Sequence, residues 1–131
     1  MKYLCLGYHD EQAWAAMPRQ ERDALLEETF AYQELLREGG HYLRGDALQS
    51  AQNAATLRFK SGEVLLTDGP FAETKEQLGG LMMLEASDLN QAIALMSKLP
   101  CMRIGGSVEI RPVNRELSDA ATASSAAVER I

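Results

Sequence analysis

The feature that most narrows the fold is TLRFKSGEVLLT, residues 56–67, two strand-like runs around Ser61-Gly62. Closing a two-residue turn there sets Lys60 opposite Glu63, Phe59 opposite Val64, Arg58 opposite Leu65, Leu57 opposite Leu66 and Thr56 opposite Thr67. In that register both large apolar pairs share one face, and the pair beside the turn is oppositely charged. A slip of one residue would send every side chain to the wrong face. An antiparallel hairpin is therefore fixed before anything else.

The flanking segments supply strands and helices in a regular order. KYLCLGY (2–8) alternates, with Tyr3, Cys5 and Gly7 on one face and Leu4, Leu6 and Tyr8 on the other. That describes a strand covered on both sides, or one buried within a dimer. Pro18 suits the start of a helix, and Glu21 and Asp23 follow where the helix dipole favours acids. Leu25, Leu26, Phe30, Gln33 and Leu36 give an imperfect apolar stripe, and Gly39-Gly40 ends it. HYLRGDAL (41–48) is a short second strand before a polar link. After the hairpin, GGLMMLEA is a buried strand. Ser87 or Asp88 caps a second helix, striped by Leu89, Ala92, Ile93, Met96 and Leu99 and stopped by Pro100. SVEIRPV alternates again, Val108 and Ile110 inward, Glu109 and Arg111 opposite.

The order is βαβ, an extra β-hairpin, then βαβ. It predicts an α+β domain over residues 1–113, an open antiparallel sheet with both helices on one face. The other sheet face needs cover, and since LMML is apolar on both sides, a second copy is the simplest cover, making a homodimer. From Asn114 the chain, NRELSDAATASSAAVERI, has too little apolar patterning for a core, so 114–131 reads as a flexible or marginally helical tail.

Composition removes several function classes. No run of about 18 apolar residues occurs, so no membrane span is expected. MKYLCLGYHD lacks a cleavage site and reads as a strand rather than a signal peptide. With 19 acids against 13 bases the net charge is −6, and the basic residues are dispersed, which argues against direct nucleic-acid binding. Cys5 and Cys101 lie far apart in apolar contexts, as buried free thiols in a reducing cytoplasm. With two histidines and two cysteines at no ligand spacing, no metal or other cofactor is expected. Neither a phosphate loop nor a GxSxG elbow is present.

TDGPFAETKEQLGG, residues 67–80, carries more charge than a connection requires. With MKYLCLGYHDE before it and GGSVEIRPV after it, this segment resembles the DGPF branch of the YCII-related proteins. The resemblance covers roughly residues 1–113. It implies a dimeric, ferredoxin-like α+β fold with a barrel-like assembly, a bacterial cytoplasmic setting, and a link to sigma-factor regulators, but no established reaction. Better-understood YCII relatives are thought to use a first-helix histidine with a nearby aspartate as an acid–base pair. The first helix here has no histidine, and Thr29 falls in that slot, so the pair does not carry over.

The candidate site centres on this segment. Asp68 is either a turn residue accepting a nearby N–H or a cleft carboxylate acting as base or acceptor. Glu73 and Lys75 are either solvated loop charges or a ligand edge, with Lys75 contacting an anionic group. Gly79-Gly80 reads as a strand bulge or as a close backbone approach. Tyr8, His9 and Glu11 sit where the first strand ends, His9 with an imidazole suited to acid–base work or simply exposed in a loop. These residues point to a small polar ligand in a cleft near the dimer interface, and to a possible acid–base enzyme. The alternative is a non-catalytic dimeric interaction module linked to a sigma-factor regulator.

Overall fold

The computed structural model describes residues 1–123. Strands β1 (Lys2–His9), β2 (Tyr42–Ala47), β5 (Gln77–Glu85) and β6 (Ser107–Pro112) form one antiparallel sheet in the order β2, β5, β1, β6. Strands β3 (Ala55–Lys60) and β4 (Glu63–Asp68) form a separate two-stranded sheet. Among the described residues four α-helices accompany them: α1 (Glu11–Ala16), α2 (Arg19–Glu38), α3 (Leu89–Met96) and α4 (Arg115–Ala123). The protein is thus of mixed α and β structure built on antiparallel sheets.

The hairpin has the register read from its sequence, Lys60 against Glu63 through Thr56 against Thr67, extended by Ala55 against Asp68. Ser61 and Gly62 both have positive φ, 53° and 80°. That is the turn whose twist matches a right-twisted ribbon, and glycine meets it without steric cost.

Alternation along β1 decides where the core lies. Tyr3 and Cys5 point to the face covered by α2 and α3, where they meet Met82 and Leu84 of β5, Leu36, Ala92, Met96 and Leu99 in one buried cluster. Val108, Ile110 and Tyr42 border it. The Tyr32 hydroxyl donates to the Leu95 carbonyl at 2.5 Å and ties α2 to the end of α3. Asp88 caps α3 by accepting from the Gln91 N–H at 2.8 Å, while the Gln91 side chain accepts from Ser87 N–H at 2.6 Å. These two bonds satisfy the amides of Gln91 and Ser87 at the helix start.

Three sequence expectations shift. Residues 11–16 form a helix of their own, α1, because Asp10 caps it through the amides of Gln12 and Ala13. Pro18 then precedes α2 instead of opening it. The apolar stripes are wider than the surfaces they cover: Leu26, Phe30, Leu89 and Ile93 are exposed while Leu25, Leu36, Ala92 and Met96 are buried. In the C-terminal stretch, Asn114 accepts from Leu117 N–H at 3.1 Å at the start of α4. The rest of that stretch, 124–131, lies outside the described residues.

Cys5 and Cys101 are free thiols, Cys5 fully buried and Cys101 half-buried. Burial pushes the Cys5 thiol from its ordinary value of 9.0 up to about 11, because the thiolate would have to form among Tyr3, Met82 and Met96. The native state therefore holds a proton that the unfolded chain releases above pH 9, and stability falls as pH rises from about 9 to 11. In urea unfolding, the advantage of the wild type over Cys5→Ala should shrink by roughly 2–3 kcal/mol across that window. A pH-independent difference would contradict a neutral buried thiol.

Candidate functional site

The site region grows from the end of the β1–β5 ladder. Pairing runs in register from Lys2 against Glu85 to Gly7 against Gly80, then shifts so that Tyr8 faces Leu78 and His9 faces Gln77. Gly79 is the extra residue of this bulge. A methyl on Gly79 would collide with the His9 ring, so glycine is what lets the imidazole rest against the β5 backbone. Trp14 of α1 meets the same ring edge-on, centroids 6.4 Å apart. His9 and Trp14, with Met17 and Cys101, line a small cavity of about 70 Å³.

The 69–77 segment is pinned at both ends. Gly69, with φ 111°, donates its N–H to Ala54 O at 2.7 Å, and the Thr56 hydroxyl donates to Gly69 O at 2.8 Å. Arg58 of β3 donates to Phe71 O at 2.7 Å and sets its guanidinium 5.3 Å from the centre of the Phe71 ring. Phe71 is 79% exposed, so Arg58 holds it where the core does not. At the far end the Gln77 amide donates to the carbonyls of Ala72 and Thr74, both at 3.0 Å. Gln77 thereby buckles the loop back to β5.

Three open clefts flank this pinned segment, and Lys75 lines two of them. One, about 630 Å³, runs between the segment, α1 and the 50–52 link, and is lined by Asp10, Glu11, Gln52, Glu73, Lys75 and Gln77 among others. The other, about 680 Å³, is lined by Tyr8, Asp10, Ala13, Thr74, Lys75 and Ile104, among others. Lys75, Thr74 and Asp10 belong to both. Two carboxylates are already engaged, Asp10 on the α1 amides and Glu11 on the Ala51 N–H at 3.2 and 3.3 Å. Lys75 makes no ion pair among the described residues. Its ammonium and the Glu73 carboxylate are the free charges of the first cleft.

The five residues singled out in the sequence are thus divided. Tyr8, Glu73 and Lys75 border the clefts, with the Tyr8 hydroxyl 3.5 Å from Glu109 Oε1. His9 lines the separate Trp14 cavity and neither of these clefts. Asp68, the exposed last residue of β4, borders neither, and its carboxylate makes no hydrogen bond among the described residues. Glu11, placed with Tyr8 and His9 at the end of the first strand, lines the first cleft; Asp10, Gln77 and Arg58 escaped the sequence reading of the site. Asp10 alone carried a local signal, an aspartate directly before EQAWAA in the position of a helix cap. A further cavity of about 400 Å³ lies between α2 and the sheet, lined by Cys5, Gly7, Thr29, Gln33, Gly80 and Met82 among others.

A model of the YCII-related domain matches residues 1–116, and the chain belongs to the YCII-related family. An uncharacterized protein of Rhizobium meliloti (strain 1021) is 35% identical over 114 residues, spanning 86% of this chain and 92% of that protein. Among solved structures, the chain is similar to the 5-chloro-2-hydroxyhydroquinone dehydrochlorinase of Burkholderia phenoliruptrix, solved in complex with 2,5-dihydroxybenzoquinone. That likeness has a TM-score of 0.49 and 17% identity, over 88% of this chain and 98% of the other.

Gly79→Ala tests the geometry at the bulge. A Cβ so close to the imidazole should expel His9 from its seat, shifting its ring NMR signals and Trp14 fluorescence, and cost about 1–3 kcal/mol of stability. Unchanged Trp14 emission and His9 signals would place the ring elsewhere.

Proposed function

We propose that this YCII-related protein, of the DGPF branch, binds a small polar molecule in the clefts divided by the 69–77 segment. The observation that carries this reading is Lys75, which borders two of these clefts and has no ionic partner among the described residues. An unpaired ammonium on a segment pinned at both ends is a preorganised contact for an anionic group. Around it stand Glu73, Glu11 and Asp10, so a ligand that presents donors as well as one anionic group fits best, a zwitterion before a polyanion. Tyr8 and Thr74 add hydroxyls that donate or accept.

The working unit is taken as a homodimer of ferredoxin-like subunits, 1–113 forming the domain, in a bacterial cytoplasm. The outer sheet face supports a dimer: Leu4 and Leu6 pair with Met83 and Leu81 on the side opposite the α2–α3 core. Binding is favoured over acid–base catalysis within one subunit, because Asp68 and His9 border neither cleft.

The test is an NMR screen of small zwitterions, hydroxy acids and polyols against the isotope-labelled protein. Binders should perturb Tyr8, Asp10, Thr74 and Lys75, and Lys75→Ala should weaken them about tenfold or more without lowering the melting temperature. Binding that ignores Lys75→Ala, or that maps to the cavity under α2, would sink this assignment.

A further inference from the structure

The third cleft beside the 69–77 segment, about 620 Å³, differs in kind from the two that Lys75 lines. Of the chain's 13 basic and 19 acidic residues, Glu76 is the single one on its lining among the described residues. Neutral polar groups stand where the other clefts have charges: Gln49, Asn53 and Gln77 supply carboxamides and Tyr8 a hydroxyl. Phe71 lines the same cleft and is 79% exposed.

These groups are held in place and only partly spent. Arg58 donates to Phe71 O at 2.7 Å and sets its guanidinium 5.3 Å from the ring centre. Arg58 itself does not line the cleft, so the ring offers the cleft a surface that the guanidinium leaves uncovered. The Asn53 amide donates to Gln49 Oε1 at 3.2 Å, which leaves the Gln49 N–H groups and Asn53 Oδ1 without partners among the described residues. The Gln77 N–H groups are committed to Ala72 and Thr74, and its Oε1 is left to accept. A fixed aromatic surface thus lies beside donors and acceptors that carry no charge.

We propose that this cleft binds a neutral cyclic sugar, one side of whose ring stacks on Phe71. A sugar ring has C–H groups of slight positive polarity on its faces, and these suit the negative face of an aromatic ring. Around its rim are hydroxyls that each donate and accept, which is what the paired amides of Gln49 and Asn53 require. Charged ligands fit worse. An anion would meet Glu76 and no cation on this lining, and a cation would meet Glu76 alone, which already accepts from the Ser107 hydroxyl at 3.4 Å. A purely apolar ring could stack, but it would strip water from the amides and give them no partner. The volume lies within the roughly 300–1,000 Å³ of small-molecule sites. This inference goes beyond the binding proposed at Lys75: that ligand is recognised through its charge and this one without any, so either assignment can fail alone.

Saturation-transfer difference NMR on the full chain, with D-glucose, D-galactose and N-acetyl-D-glucosamine at tens of millimolar, tests the proposal. At least one sugar should take up saturation, most strongly on the C–H protons of one ring face. It should also shift the side-chain amide signals of Gln49, Asn53 and Gln77. Phe71→Ala should weaken that binding about tenfold or more, while Phe71→Trp keeps it. Gln49→Ala, at an exposed position outside the helices and strands, is a second variant and should weaken binding about threefold or more. No saturation of any of the three sugars, binding that ignores both Phe71→Ala and Gln49→Ala, or shifts that gather at Lys75 instead of the three amides would each overturn the sugar cleft.

Discussion

The pairing of β1 with β5 is the constraint on which the rest of the structure depends. It occupies the middle of the sheet and fixes, by strict alternation, that Tyr3, Cys5, Met82 and Leu84 face the helices while Leu4, Leu6, Leu81 and Met83 face away. At its far end the single extra residue, Gly79, resets the register of the last two pairs. Without that bulge His9 would have no seat against β5, and Gln77 would not stand opposite His9 where its amide gathers the 69–77 segment. The core and the clefts are thus two ends of one ladder.

TDGPFAETKEQLGG divides its labour by residue. Gly69 takes the positive φ, and the tethers from Ala54, Thr56 and Arg58 fix the path through Phe71. These are structural tasks. Glu73 and Lys75 lie between the tethers and the Gln77 buckle, free of ion pairs among the described residues. Rigid ends with uncommitted charges between them are what a binding segment requires, since order is established before a ligand arrives.

The strands and the helices α2 and α3 were legible because their patterns have periods that only one structure satisfies. The hairpin pairing is the clearest case, every cross-strand pair following from one turn position. The bulge at Gly79-Gly80 was legible as a glycine pair, though its occupant, the His9 ring, was not. Phe71 shows the limit: an aromatic after Gly-Pro suggests an anchor in the core, yet its partner is Arg58, thirteen residues earlier and selected by the hairpin's placement. Asp68 shows it differently. A turn aspartate can cap its own loop, but Thr56 and Ala54 had already engaged the polar atoms of Gly69, and the carboxylate was left in solvent. Contacts between segments distant in sequence do not announce themselves in local pattern.

Thr29 of α2 lines the cavity between that helix and the sheet, and its geometry bears on where chemistry can lie. The Thr29 hydroxyl donates to Leu25 O at 2.8 Å, the back-bond a helical threonine makes to the preceding turn. Its proton is committed, leaving an acceptor on the wall of the α2 cavity but no group that takes up a proton near neutral pH. The thiol on the same wall, Cys5, is held neutral by burial. Gln33 contributes an amide, again without acid–base capacity, and Asp46, also on the lining, is paired with Arg44 at 3.5 Å. A cavity so furnished selects by shape and hydrogen bonding, whereas the ionisable side chains without partners gather at the other end of the sheet, around Lys75. That separation is why the loop clefts, rather than the cavity under α2, carry the functional reading.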